Sequence, residues 1–218
     1  MHRLIFAPHI DDAEFGLGGS MTLWRDQGDT THVVICAGET YMRGEKRVDI
    51  EERLAEATTA FRLLGAQWRF DPLFKENWGH CCNYAYGASR VQHHIDHYSP
   101  DEVYVPLPGF NQDHTAIYEL YQIATRPNSM TPARRDYAYE YPGTTPAIPT
   151  PLHGLSYRRF GELHLTTKLA ALSAHTTQFD GRPSGHIGLE GAKKLAALRG
   201  SECSAEYAEL TYLIREVG

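Results

Sequence analysis

Three side chains able to hold a metal or move a proton fall within four residues: His9, Asp11 and Asp12, in Pro8-His9-Ile10-Asp11-Asp12. Imidazole and carboxylate are both good zinc ligands. In an irregular loop His9 and Asp12 can aim at one point, which leaves Asp11 free to take a proton from a metal-activated water. A catalytic zinc site uses three protein ligands and keeps one position open for water. The best third ligand is His114, in Asn111-Gln112-Asp113-His114. A set of two histidines and an aspartate suits Zn2+, and Fe2+ or Co2+ as well.

These two segments lie a hundred residues apart, so the fold must bring them together. Residues 4–7 are a short apolar run, expected as a buried strand directly before His9. Residues 102–107 are expected as a strand before Asn111. Residues 31–37, with Val33, Val34 and Ile35 consecutive, and residues 68–70 are expected as further strands. Between them, residues 49–64 repeat Leu54, Ala57, Phe61 and Leu64 at helical spacing and stop at Gly65. Helices are also expected near Met21, Leu23 and Trp24, over 88–98 and over 113–124. Strands alternating with helices in this way imply a Rossmann-like α/β fold, a mostly parallel sheet flanked by helices. In such a sheet the loops at the carboxyl edge gather ligands. Residues 155–165 and 207–214 are expected to add C-terminal strands, the latter strand or short helix, with helices over 166–174 and 188–198. Half of the prolines fall in residues 126–152, expected as a long loop or lid around a strand at 136–141.

A chain of 218 residues with ordinary apolar and charged fractions is expected to form one domain over residues 1–218. The net charge of −6 disfavours nucleic acid as a partner, because a phosphate backbone gains nothing from an acidic surface. No run approaches the roughly 18 apolar residues of a membrane span. Without a basic, then apolar, leader the expected location is cytoplasmic. The four cysteines, Cys36, Cys81, Cys82 and Cys203, form no CxxC pair, which fits reduced thiols. A small-molecule substrate is implied, and homo-oligomerisation is left open.

The motif Pro-His-x-Asp-Asp-x-Glu-Phe-Gly-x-Gly-Gly, with x-x-Asp-His later, resembles the PIG-L/LmbE family of zinc-dependent de-N-acetylases. Arg53-x-x-Glu56-Ala57, Lys168-x-x-Ala171 with His175 and Gln178, and Tyr207-Ala208-Glu209 resemble later segments of that family. The resemblance implies an N-acetylated, amino-sugar-containing substrate. It implies His9, Asp12 and His114 as zinc ligands and Asp11 as general base. Asp113 would orient a ligand, and Arg53 would reach a polar substrate oxygen. His175 either lines the substrate pocket or caps a helix. Two positions depart from the pattern. Asn111 stands where the family has a histidine, so it can donate to an oxyanion but cannot supply a proton. Ala13 stands where many members have glutamate, and Glu14, one residue later, is expected to be structural or to support a residue of the site from behind.

Other groupings carry blander readings. His93, His94 and His97 read as a solvated helix surface, and His80-Cys81-Cys82 as a loop. Gly16-x-Gly18-Gly19 invites a dinucleotide reading, yet Asp11 and Asp12 would repel a pyrophosphate, so close helix–sheet packing is expected instead. Tyr137, Tyr139 and Tyr141 could stack on a sugar or simply alternate along a strand. The lead function is an N-deacetylase. The alternatives are an amidase for a non-sugar acylated amine or modified nucleoside, and a non-catalytic Rossmann-like binding protein.

Overall fold

The computed structural model describes residues 1–37, 41–43, 46–73, 84–127, 135–142, 154–179 and 188–217. Its centre is a seven-stranded sheet in the order β5-β2-β1-β6-β7-β9-β8. These strands are β1 (His2–Ala7), β2 (Thr30–Ile35), β5 (Gln67–Phe70), β6 (Glu102–Pro106), β7 (Arg135–Tyr139), β8 (Leu155–Phe160) and β9 (Tyr207–Glu216). The first five in sheet order run parallel. Strand β9 runs antiparallel to both β7 and β8. The α/β expectation and the added C-terminal strands both match this sheet. A separate hairpin of β3 (Tyr41–Arg43) and β4 (Lys46–Val48) was not expected.

The helices are α1 (Asp12–Asp26), α2 (Ile50–Leu64), α3 (Tyr84–Tyr98), α4 (Gln112–Ala124), α5 (Glu162–Ser173), α6 (Thr176–Phe179) and α7 (Leu189–Glu202). Strand alternation feeds two cores. Ile5, Ala7, Val33 and Ile35 face α1, α2 and α5, where Leu17, Met21, Phe61 and Ala171 meet them. Leu4, Phe6, Val34 and Cys36 face α3 and α4, against Val91, Ile95, Ile117 and Leu120. Burial on both faces is why these parallel strands read as unbroken apolar runs. Among the described residues no helix is long and apolar enough to cross a membrane.

Helix α1 begins at Asp12, a turn before the glycines, so Gly16, Gly18 and Gly19 lie inside it. Each is there for close approach. A Cβ on Gly16 would stand 2.3 Å from Tyr139 Cδ2, and one on Gly19 2.4 Å from Phe160 Cζ. Gly18 faces the stem of Lys168. Lys168 is buried, and its Nζ donates to Phe15 O at 2.7 Å and Glu209 Oε1 at 2.6 Å. Glu209 also accepts from the N–H groups of Gly19 (2.9 Å) and Ser20 (2.8 Å) and from Ser20 Oγ (2.5 Å). Lys168 and Glu209 thus clamp α1 to α5 and β9.

Several boundaries differ from expectation. Strand β2 stops at Ile35, α3 starts at Tyr84, α5 starts at Glu162, and β9 extends to Glu216. His94 is corrected from surface to core. It is fully buried, with Nε2 2.6 Å from Asp71 Oδ2, while Arg90 also pairs with Asp71. His93 and His97 are exposed and stack on each other. The His80-Cys81-Cys82 segment lies outside the described residues, as does most of the expected 126–152 loop apart from β7 and its immediate flanks.

Candidate metal centre

Strand β1 ends at Ala7 and α1 starts at Asp12, so Pro8 to Asp11 turn over the carboxyl edge of the sheet. Strand β6, next to β1, ends at Pro106, and α4 starts at Gln112. Adjacent strands therefore deliver the two motifs to one place. One ligand atom each from His9, Asp12 and His114 converges within 4.8 Å. Asp12 Oδ2 is the pivot, 2.9 Å from His9 Nδ1 and 3.2 Å from His114 Nε2. The same oxygen accepts from His9 N at 2.8 Å, which fixes its direction.

The second nitrogen of His9 sits 2.8 Å from Asp113 Oδ2. This is the carboxylate–imidazole arrangement that orients histidines in metal sites. His114 is fully buried; its Nδ1 has no hydrogen-bond partner, and its Nε2 faces Asp12 Oδ2 at 3.2 Å without good hydrogen-bond geometry. An imidazole so placed carries an unmet lone pair, which normally costs free energy. A cation beside Asp12 meets that need, so the donor set fits a divalent metal.

Charge in the centre favours a cation. Burial alone lowers the pKa of His9, but Asp12, Asp113 and Asp11 outweigh it and push it up to about 10. Burial alone raises Asp12, yet His114 and His9 hold it well below the usual carboxylate range. Asp11 occupies the N-cap position of α1, but its side chain makes no capping bond. Its carboxylate is thus not spent on the helix, although its main-chain oxygen accepts from Phe15 N.

Asn111 caps α4. Its Oδ1 accepts from Asp113 N at 2.9 Å, which leaves the amide nitrogen as a donor on an exposed side chain. Arg53 is buried in the first turn of α2. One turn on, Glu56 accepts from Thr176 Oγ1 (2.7 Å), Thr177 N (2.8 Å) and Thr177 Oγ1 (2.6 Å), tying α2 to the segment after His175. His175 itself is fully buried, with Nε2 2.9 Å from Glu14 Oε1. Burial acts to lower His175, but Glu14 more than offsets it and raises its pKa. The pair joins the first turn of α1 to the residue before α6.

The three tyrosines of the expected 136–141 strand divide, because β7 ends at Tyr139. Tyr137 and Tyr139 are core residues, with Tyr139 OH donating to Phe6 O at 3.1 Å. Tyr141, just beyond the strand, packs edge-on to His114 with ring centroids 5.0 Å apart. Sequence reading grouped it with its neighbours. Its position past the end of an apolar strand was the available signal.

The solved structures resembling this chain include a deacetylase of the teicoplanin biosynthesis pathway. It is 15% identical with a TM-score of 0.79, and the match covers 100% of this chain and 99% of that one. GalB, the 4-carboxy-2-hydroxymuconate hydratase of Pseudomonas putida, is 20% identical with a TM-score of 0.77, covering 100% and 97%. The N,N'-diacetylchitobiose deacetylase of Pyrococcus horikoshii is 18% identical with a TM-score of 0.76, covering 98% and 83%. At these identities they show a shared fold. No curated protein matches. The family model described as PIG-L, GlcNAc-PI de-N-acetylase, matches residues 4–125. That span is more than half of the chain and holds all three converging ligands, so the chain belongs to the PIG-L family of amide-hydrolysing de-N-acetylases.

Proposed function

We propose that the chain removes an N-acetyl group from an amino-sugar-containing small molecule, using a divalent metal, Zn2+ foremost, held by His9, Asp12 and His114. The observation that carries this reading is the convergence of those three ligands beside an uncommitted Asp11. When bound, the metal supplies Lewis acidity to a water and to the amide carbonyl. Asp11 takes a proton from the attacking water as the new C–O bond forms. Asn111 Nδ2 donates to the carbonyl oxygen as charge builds on it. Asp113 holds His9 in its orientation, and Asp11 returns the proton to the nitrogen as the C–N bond breaks. Arg53 steadies a polar substrate oxygen, and its planar fork suits that task.

The likeness to GalB supports a second reading, hydration of a conjugated unsaturated acid. Adding water to a C=C bond uses the same base and Lewis acidity, with the proton that Asp11 takes from water returned to carbon in place of a leaving amine. A panel of N-acetylated amino sugars, scored for free amine, and of dienoic acids, scored by loss of ultraviolet absorbance, separates the two.

Asp11→Asn tests the assignment of the base. Turnover on the active substrate should fall by about 10²–10⁴, with metal content by mass spectrometry unchanged. Near-native turnover would remove Asp11 from the mechanism. His114→Ala should instead lose the metal.

A further inference from the structure

The two sides of the centre differ in chemistry. The His9 side is polar: Asp113 lies against its Nε2, and exposed Asn111 caps the helix beside it. The His114 side is apolar. Tyr141 packs on His114, and also edge-on to Phe15 with centroids 5.7 Å apart. Phe15 meets Phe179 at 5.9 Å, and the three belong to one cluster with Leu172 and Ala192. Tyr141 and Phe179 are partly exposed, so the cluster has an open edge.

This flank is held in place. Tyr139 is bonded to Phe6 O, and Glu140 accepts from Arg199 Nε at 2.8 Å. The residue that follows, Tyr141, is carried by backbone anchored on both of those partners. It cannot retreat easily to make room for a longer group.

An N-acylated amino sugar has two unlike ends around its amide. The alkyl end gains by leaving water, and the polyol end keeps its hydrogen bonds by staying at a polar, open side. We propose that Tyr141 is the wall of the acyl pocket, contacting the alkyl part of the acyl group and limiting its length. This rests on the amide-hydrolase reading above.

The test uses the zinc-loaded full chain and three variants: Tyr141→Phe, Tyr141→Leu and Tyr141→Ala. Glucosamine bearing N-acetyl, N-propionyl or N-butyryl groups is scored for released amine. Binding of acetate and butyrate, the products of the acyl end, is measured by calorimetry. Leu and Ala should move the butyryl-to-acetyl ratio of kcat/KM about tenfold or more toward butyryl. The butyrate-to-acetate affinity ratio should move the same way. Tyr141→Phe should leave both ratios unchanged, because the ring and not the hydroxyl forms the wall. Unchanged ratios in zinc-replete Leu and Ala variants would overturn the proposal. So would loss of zinc in both, which would assign Tyr141 to holding His114. If the unmodified protein frees amine from none of the substrates, the hydrolase reading fails, and the carboxylate ratios still judge the wall.

Discussion

Replacing Lys168 by methionine should destabilise the protein more than any surface change of similar size. The side chain is 2% exposed and Glu209 4%, so neither charge has water to fall back on. Removing the ammonium leaves the carboxylate with three neutral donors, Gly19 N, Ser20 N and Ser20 Oγ, and leaves Phe15 O without its Lys168 donor. Breaking a buried pair from one side costs about 3–5 kcal/mol. Total stability of a domain is about 5–15 kcal/mol, so this is a large share. With a urea dependence of about 3 kcal/mol per molar, the unfolding midpoint should fall by roughly 1–1.7 M. Combining Lys168→Met with Glu209→Gln removes both charges and should recover part of that loss. A single-variant midpoint within about 0.3 M of the parent, corresponding to about 1 kcal/mol, would refute the argument that the pair is desolvated. So would a double variant that is worse by the full sum of the two singles.

Two further expectations concern other parts of the fold. Gly16→Ala places a methyl 2.3 Å from Tyr139 Cδ2 and 2.8 Å from Glu140 O, one turn past Asp12. It should cost about 1–3 kcal/mol and weaken zinc retention on dialysis against a chelator. Gly28→Ala, at φ 79° with nothing within 4 Å, should strain the backbone yet leave zinc in place. Burial alone would raise Asp71, but Arg90 and His94 outweigh it and hold its pKa below the usual carboxylate value. Its contribution to stability is therefore fully present above the unfolded value near 3.9 and lost as pH falls through the folded one. Asp71→Asn should lose less stability than the parent between about pH 4 and lower pH, read from urea midpoints, and parallel losses would contradict this.

The candidate ligands were legible because each lies past an apolar strand in a parallel sheet, where sequence order alone predicts a loop at the ligand edge. The start of α1 was misread because glycine disfavours helix interiors, by about 1 kcal/mol relative to alanine. What overrides that preference is contact with Tyr139, Phe160 and Lys168, none of which is near in sequence. His94 was misread for a different reason. Val91, His94 and Ile95 share a helix face, so the period marked it as buried, but its polarity hid the signal. The Lys168–Glu209 pair spans 41 residues and crosses elements, and no local pattern announces such a contact.

Strand β9 lies between β7 and β8, antiparallel to both, although it follows them in the chain. During synthesis, then, the flanks of that part of the sheet leave the ribosome before the strand that joins them. Until β9 arrives, β7 keeps one row of amide and carbonyl groups unpaired, and the N–H groups of Gly19 and Ser20 wait for Glu209. Of the candidate ligands, His9 and Asp12 are made at the start of the nascent chain and His114 just past its midpoint, yet the helix bearing Asp12 is clamped only near the end. The interval between those events leaves an open strand edge that can pair with another chain.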